Sequence, residues 1–160
     1  MPDKIVTREQ LVEQLQRLRA TGARIVFTNG CFDLMHIGHT RYLQAAKALG
    51  DLLVVGVNTD DSVRRLEKAP DRPIVSEAQR AEVLAALGCV DFVVLFSEPD
   101  PKALITAVQP DVLVKGGDWP LDRIIGRDVV EARGGMVRTI PLVPGFSTTA
   151  LIHRIRSASA

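Results

Sequence analysis

Two histidines separated by an isoleucine and a glycine, His36-Ile37-Gly38-His39, carry the most chemistry in this 160-residue chain. They close the segment Thr28-Asn-Gly-Cys-Phe-Asp-Leu-Met-His-Ile-Gly-His39, which follows an apolar run and opens a helical pattern. A helix start offers free N–H groups and the positive end of a dipole, which suit phosphate. Gly38 removes a side chain there, so that a ligand can approach the backbone. Two imidazoles beside that dipole can donate hydrogen bonds to phosphate oxygens as charge builds during transfer. The segment is not a P-loop, because no Gly-Lys-Ser/Thr follows, and it lacks the three-glycine dinucleotide spacing. A zinc site would need further ligands that the neighbourhood does not offer. Cys31 reads as a small packed residue rather than a nucleophile.

Other segments fall where they could join this loop. Ser147-Thr148-Thr149 precedes a helical pattern, and three hydroxyls at a helix start make a second phosphate cradle. Lys115-Gly-Gly-Asp118 ends an apolar run. Its glycines, Gly117 among them, either allow close backbone approach, with Asp118 on a ribose hydroxyl, or make a plain glycine turn. Arg80 taken alone reads as a solvated helix-face residue, though a guanidinium can fork two phosphate oxygens.

The elements that must position these residues are legible. Thr7 and Gln10 make a capping box ahead of Leu11, Leu15 and Leu18, predicting a helix over about 7–21 that Gly22 ends. Apolar runs at Arg24–Asn29, Leu52–Val57, Phe92–Phe96, Val112–Lys115 and Met136–Ile140 read as five strands separated by helices. Ser76 with Gln79 predicts a capping box, Asp100-Pro101 an N-cap followed by proline at the first helical position, and Ser147 the cap of a last helix. Near-continuous apolar strands alternating with helices predict a single α/β domain, a Rossmann-like doubly wound parallel five-stranded sheet with helices on both faces. Ligands of such sheets bind at the carboxyl ends of the strands, near the point where strand order reverses.

Composition narrows the class. The chain is 46% apolar with a formal net charge of +1, which excludes a disordered chain and lacks the basic excess of a nucleic-acid binder. No run is long enough to span a bilayer, and the polar N-terminus lacks the apolar core of a signal peptide. Two cysteines, Cys31 and Cys89, are too few for a disulfide framework. The expected location is the cytoplasm, with neither membrane nor nucleic acid as partner.

The sequence resembles the nucleotidylyltransferase superfamily marked by His-x-Gly-His. Thr28-Asn-Gly-Cys-Phe-Asp33, Val57-Asn-Thr-Asp60, Arg72-Pro73, Gln79-Arg80, Val114-Lys-Gly-Gly-Asp118 and Ser147-Thr-Thr149 are similar to the adenylyltransferase domain of bacterial ADP-heptose synthases, in order along nearly the whole chain. The absence of a preceding sugar-kinase domain resembles the stand-alone form. The resemblance implies transfer of AMP from ATP to D-glycero-β-D-manno-heptose 1-phosphate, with Mg²⁺ carried by ATP rather than held by the protein, for lipopolysaccharide or another heptose glycan. It implies that His36, His39, Ser147 and Thr148 act at the transferring centre. Asn29, Gly30, Cys31, Phe32, Gly38, Lys115, Gly117, Asp118, Phe146 and Thr149 are then expected at the nucleotide, and Asp33, Asn58 and Arg80 at the second substrate, Asp33 holding the sugar or positioning the metal. A homodimer is expected by the same analogy.

Two departures matter. Cytidylyltransferases of the superfamily carry Arg-Thr-x-Gly-Ile before Ser-Thr-Thr, where this chain has Leu142-Val-Pro-Gly-Phe146. The spacing around Lys68-Ala69 is also altered, so Arg64, Arg65 and Lys68 form either a basic lid over the triphosphate or a solvated helix end. Trp119 either flanks the nucleotide or fills a surface groove. Arg154 matches a basic family position or lies on a solvated face. Two other readings stay open: a cytidylyltransferase acting on a polyol phosphate such as glycerol 3-phosphate, and a nucleotide-binding subunit without catalysis.

Overall fold

The computed structural model describes residues 3–117 and 119–159. Five parallel strands, β1 (Ile25–Gly30), β2 (Leu52–Asn58), β3 (Phe92–Phe96), β4 (Val112–Gly116) and β5 (Met136–Ile140), form one sheet in the order β3-β2-β1-β4-β5. Among the described residues seven α-helices connect and flank them: α1 (Arg8–Arg19), α2 (Ile37–Lys47), α3 (Asp60–Arg65), α4 (Glu77–Ala85), α5 (Lys102–Val108), α6 (Arg127–Glu131) and α7 (Thr148–Ala158). A 3-10 turn, Leu121–Arg123, precedes α6.

Both faces of the sheet are covered, as the unbroken apolar strands require. Ile25, Phe27, Val54, Val94 and Leu113 point to one face, against Leu11 and Leu15 of α1 and Leu104, Ile105 and Val108 of α5. Val26, Val55, Val57, Val93 and Val114 point to the other, against Leu43 and Ala46 of α2 and Ala81 and Leu84 of α4. Alternate residues of β1 thus bury on opposite sides, which fixes its register. Helix α7 buries no residue.

Caps follow local chemistry with two corrections. Thr7 and Gln10 close the expected box. Ser76 takes the N-cap position of α4 without a cap hydrogen bond, because its hydroxyl instead bonds the Gln79 side chain at 3.3 Å. Pro101 is the N-cap of α5 rather than its first helical residue, and the Asp100 carboxylate accepts the Lys102 N–H at 2.8 Å.

Strand order reverses between β1 and β4. These two strands pair only at Val26–Val112 and Phe27–Leu113, whereas β1 and β2 pair over six positions. Beyond Phe27 the strands part and open a crevice at their carboxyl ends, the expected place for a ligand. Tyr42 of α2 spans the gap. Its hydroxyl donates to the Val114 carbonyl at 3.3 Å and lies 2.6 Å from Thr28 Oγ1. Burial pushes this phenol up to about 12, so it stays protonated and the bridge persists.

Candidate active site

A cleft of about 730 Å³ lies over that crevice. This volume is within the range of small-molecule sites. The loop after β1 forms its floor. Phe32 sits there at φ 49, an uncommon conformation for an aromatic residue, and its ring packs 5.5 Å from that of His39. Gly30 makes the turn possible, since a Cβ at this position would stand 3.1 Å from the Phe32 ring.

The histidines cap their own helix. His36 Nδ1 accepts the Gly38 N–H at 3.1 Å, and His39 Nδ1 accepts the His36 N–H at 3.4 Å. The rings are tilted by 33° with centroids 3.9 Å apart. A nitrogen that accepts a backbone N–H carries no proton, so in each neutral ring the proton sits on Nε2. Burial lowers the pKa of His36. Burial, then the neighbouring His36, lowers that of His39 to about 4. Both rings are therefore neutral donors near pH 7, and both line the cleft.

The depressed His39 pKa has a pH signature. The unfolded imidazole titrates near 6.5 and the folded one near 4. Stability from this group is full above pH 6.5 and is lost as pH falls from 6.5 to 4, because the unfolded state binds the proton first. Melting temperature is expected to drop across that window, and less steeply in His39→Ala. Parallel profiles would show that His39 does not contribute.

Gly38 has a sharper reason than ligand approach. A Cβ there would stand 2.8 Å from His36 Nδ1 and Cε1. Gly38→Ala is expected to lower the melting temperature by only about 2–4 °C, since the His36 ring can move aside but gives up its cap on the Gly38 N–H. It is expected to lower kcat by roughly 10- to 100-fold through the displaced His36. Unchanged kcat would remove His36 from the account.

Helix α7 begins beside α2. Ser147 Oγ accepts the Ala150 N–H at 3.0 Å, and Thr148 Oγ1 donates to the Leu34 carbonyl at 3.2 Å. The Thr148 hydroxyl proton is thus committed to the histidine loop, a correction to the cradle of three free donors. Ser147 and Thr149 keep donor capacity, and both line the cleft. The same face of α7 carries Ile152, His153 and Arg156 into the lining, while Arg154 is outside it. The spacing Thr149, Ile152, His153, Arg156 is one helical stripe and was the available sequence signal.

Asn29, Gly30, Cys31, Phe32, Lys115 and Phe146 also line the cleft. Lys115 and Lys68 bring two cations to it, and among the described residues neither has a carboxylate partner. Burial, then the charge of Lys68, lowers the Lys115 pKa. Lys68 Nζ lies 3.6 Å from Cys31 Sγ. Arg64 and Arg65 are outside the lining, and Arg65 pairs with Asp61, so of the three basic residues only Lys68 reaches the site. Gly116 lines the cleft, whereas Gly117 is buried and its N–H donates to the Ile140 carbonyl at 2.8 Å. Asp118 lies outside the described residues.

Three residues expected at the second substrate are held by partners within the protein. Arg80 is 1% exposed and outside the cleft lining. Its guanidinium donates to the Val75 carbonyl at 2.9 Å, the Cys31 carbonyl at 2.6 Å and Asp60 at 2.8 Å, so it braces the loop from behind. Asn58 is buried and donates to Ser62 Oγ at 2.7 Å. Asp33 borders the cleft, but its oxygens accept from Arg72 Nε at 2.5 Å and from the N–H groups of Ile74 and Val75 at 3.0 and 2.8 Å. Burial pushes this carboxyl up, but the Val75 and Ile74 N–H groups and Arg72 outweigh it and hold the pKa below the usual range. Asp33 therefore ties the 72–75 segment, with Arg72 at the cleft wall, to the histidine loop.

Residues 27–154 match the cytidylyltransferase-like family. The chain belongs to that family. This cytidylyltransferase-like chain is thereby a nucleotidyltransferase by class. It is 55% identical over 152 residues to the bifunctional protein HldE of Syntrophotalea carbinolica, covering 95% of this chain and 31% of that protein. It is 53% identical over 156 residues to the HldE of Geotalea uraniireducens, covering 98% of this chain and 32% of that protein. The chain thus spans about a third of these curated relatives. Among solved structures it resembles the lipopolysaccharide core biosynthesis protein from Thermoplasma volcanium, with a TM-score of 0.63 and 32% identity over 76% of this chain and 98% of that one. No described helix is long and apolar enough to cross a membrane.

Proposed function

We propose that the chain transfers AMP from ATP to D-glycero-β-D-manno-heptose 1-phosphate, forming ADP-heptose and releasing pyrophosphate. The observation that carries transfer is the pair of neutral imidazoles at the start of α2, facing the start of α7 across one cleft. An oxygen of the sugar phosphate attacks the α-phosphorus of ATP, the new P–O bond forms, and the bond to the β-phosphate oxygen breaks with pyrophosphate leaving. The attacking group is already an anion, so no enzyme nucleophile is needed, and positioning and charge stabilisation supply the rate. His36 and His39 donate from Nε2 to the transferring phosphate. The α7 start takes further phosphate oxygens through Ser147, Thr149 and its unbonded N–H groups.

Mg²⁺ on the triphosphate neutralises part of its charge. Among the described residues no three His, Cys, Asp or Glu side chains group to hold a metal. The heptose rests on motif resemblance and on the likeness to a lipopolysaccharide core biosynthesis protein. Cytoplasmic location and a homodimer belong to the same reading. The test is pyrophosphate release from the heptose 1-phosphate with ATP, CTP or GTP in separate reactions. Release with ATP alone is expected. Release with CTP instead would reverse the base assignment, and none in any reaction would refute the sugar.

A further inference from the structure

The two helix starts and the histidines lie on the α2 side of the crevice. A second, smaller hollow of about 100 Å³ lies on its α5 side. Asn29, Lys115 and Trp119 line both the cleft and this hollow, so the two join. Asn29 belongs to the α5 face. It follows Ile25 and Phe27 at alternate positions of β1, and a Cβ on Gly56 would stand 3.0 Å from Leu104 of α5 and 3.4 Å from Asn29. Leu113 and Ile124, both of the α5-side core, give the hollow an apolar wall. Arg123 adds a guanidinium, and among the described residues it has no carboxylate partner. Phosphoryl transfer puts the attacking and leaving oxygens roughly in line, on opposite sides of the phosphorus. A donor whose phosphates are held by the helix starts therefore leaves the α5 side to the acceptor.

We propose that this hollow receives the exocyclic two-carbon arm of the acceptor sugar, and that Arg123 bonds its hydroxyls, so that the site selects a heptose over a hexose 1-phosphate. This rests on the reading of the acceptor as a heptose 1-phosphate. The hollow has room for about three waters, too little for a sugar ring but suited to a short hydroxylated arm. A heptose has such an arm, CH(OH)–CH2OH on ring carbon C5, where a hexose has CH2OH alone. The apolar wall takes the C–H groups, and the guanidinium donates to the hydroxyl oxygens. A hexose leaves the far end of the hollow unfilled and Arg123 without its contact, and a site built to bond a hydroxyl rejects the analogue that lacks it.

The test follows pyrophosphate release by the full chain with ATP and either the heptose 1-phosphate or β-D-mannose 1-phosphate, which has the same ring and anomer without the outer carbon. The hexose is expected to show a kcat/KM lower by at least about tenfold. Arg123→Met keeps an apolar stem and removes the donors. It is expected to raise KM for the heptose 1-phosphate about tenfold, the worth of one hydrogen bond to a charged group. KM for the mannose 1-phosphate, KM for ATP and the melting temperature should stay unchanged, since Arg123 is exposed. Equal kcat/KM for the two sugars, an unchanged heptose KM in Arg123→Met, or an equal rise for both sugars would overturn the arm site while leaving the transfer reading intact. Binding is read apart from turnover through Trp119, the sole tryptophan, which stands where the hollow meets the cleft. A saturable emission change with the heptose 1-phosphate, weakened in Arg123→Met but without pyrophosphate release, would keep the arm site and refute the transfer. Neither emission change nor release with that sugar would refute both.

Discussion

His39→Ala is expected to lower kcat by about 10²–10³ while ATP still binds, the usual loss for one preorganised donor at a transferring centre. The size follows from how the ring is held. Its Nδ1 accepts the His36 N–H, Phe32 packs beside it, and its pKa near 4 keeps it neutral across the working pH range. It therefore presents Nε2–H without rearranging when charge develops. The loss should fall on kcat rather than on KM for ATP, because the contact strengthens only as transfer proceeds. His39→Gln, which can still donate, should recover part of the rate. A His39→Ala variant with undiminished kcat would show that His39 serves only as a helix cap.

Arg80→Ala is expected to act on stability instead. The variant leaves the Val75 and Cys31 carbonyls without their donor and Asp60 without its partner, and opens a hole where a side chain 1% exposed had packed. Leaving two carbonyls without their donor costs roughly 2–5 kcal/mol, with Asp60 partly exposed and able to take water. For a domain of this size that is a fall in melting temperature of roughly 10 °C. KM for ATP, measured well below the new midpoint, should change by less than about twofold, since Arg80 does not border the cleft. Arg80→Lys should be intermediate, keeping the charge but not the three-way fork. An unaltered melting temperature with a large rise in KM would restore Arg80 as a phosphate ligand.

These two residues show what the sequence can express. His36 and His39 act within one helical turn, so their spacing beside Gly38 already contained the arrangement. Strands β1 to β4 were legible because each is a short apolar run buried on both faces, whereas the edge strand β5 buries only Val137. Arg80, on α4, and Asp33, in the histidine loop, were expected as ligand groups by resemblance, and charged residues are rarely buried unless paired. Their partners lie far along the chain: Cys31 is 49 positions from Arg80, and Arg72 is 39 from Asp33. No local pattern encodes such pairings. Tyr42 was silent for the same reason, since its role depends on β1 and β4 parting beyond Phe27 and Leu113. The cleft stripe of α7 was written in its periodicity, but that stripe faces a ligand space rather than a core, and periodicity alone does not distinguish the two.

The most direct test of transfer is a rapid-quench time course with [α-³²P]ATP and the heptose 1-phosphate, separating labelled nucleotide, labelled sugar and labelled protein. The label is predicted to pass from ATP to the sugar product at the rate of pyrophosphate release, with none on the protein at any time. Label accumulating on the protein, or ATP consumed with no labelled sugar, would contradict direct transfer between substrates held by the two helix starts.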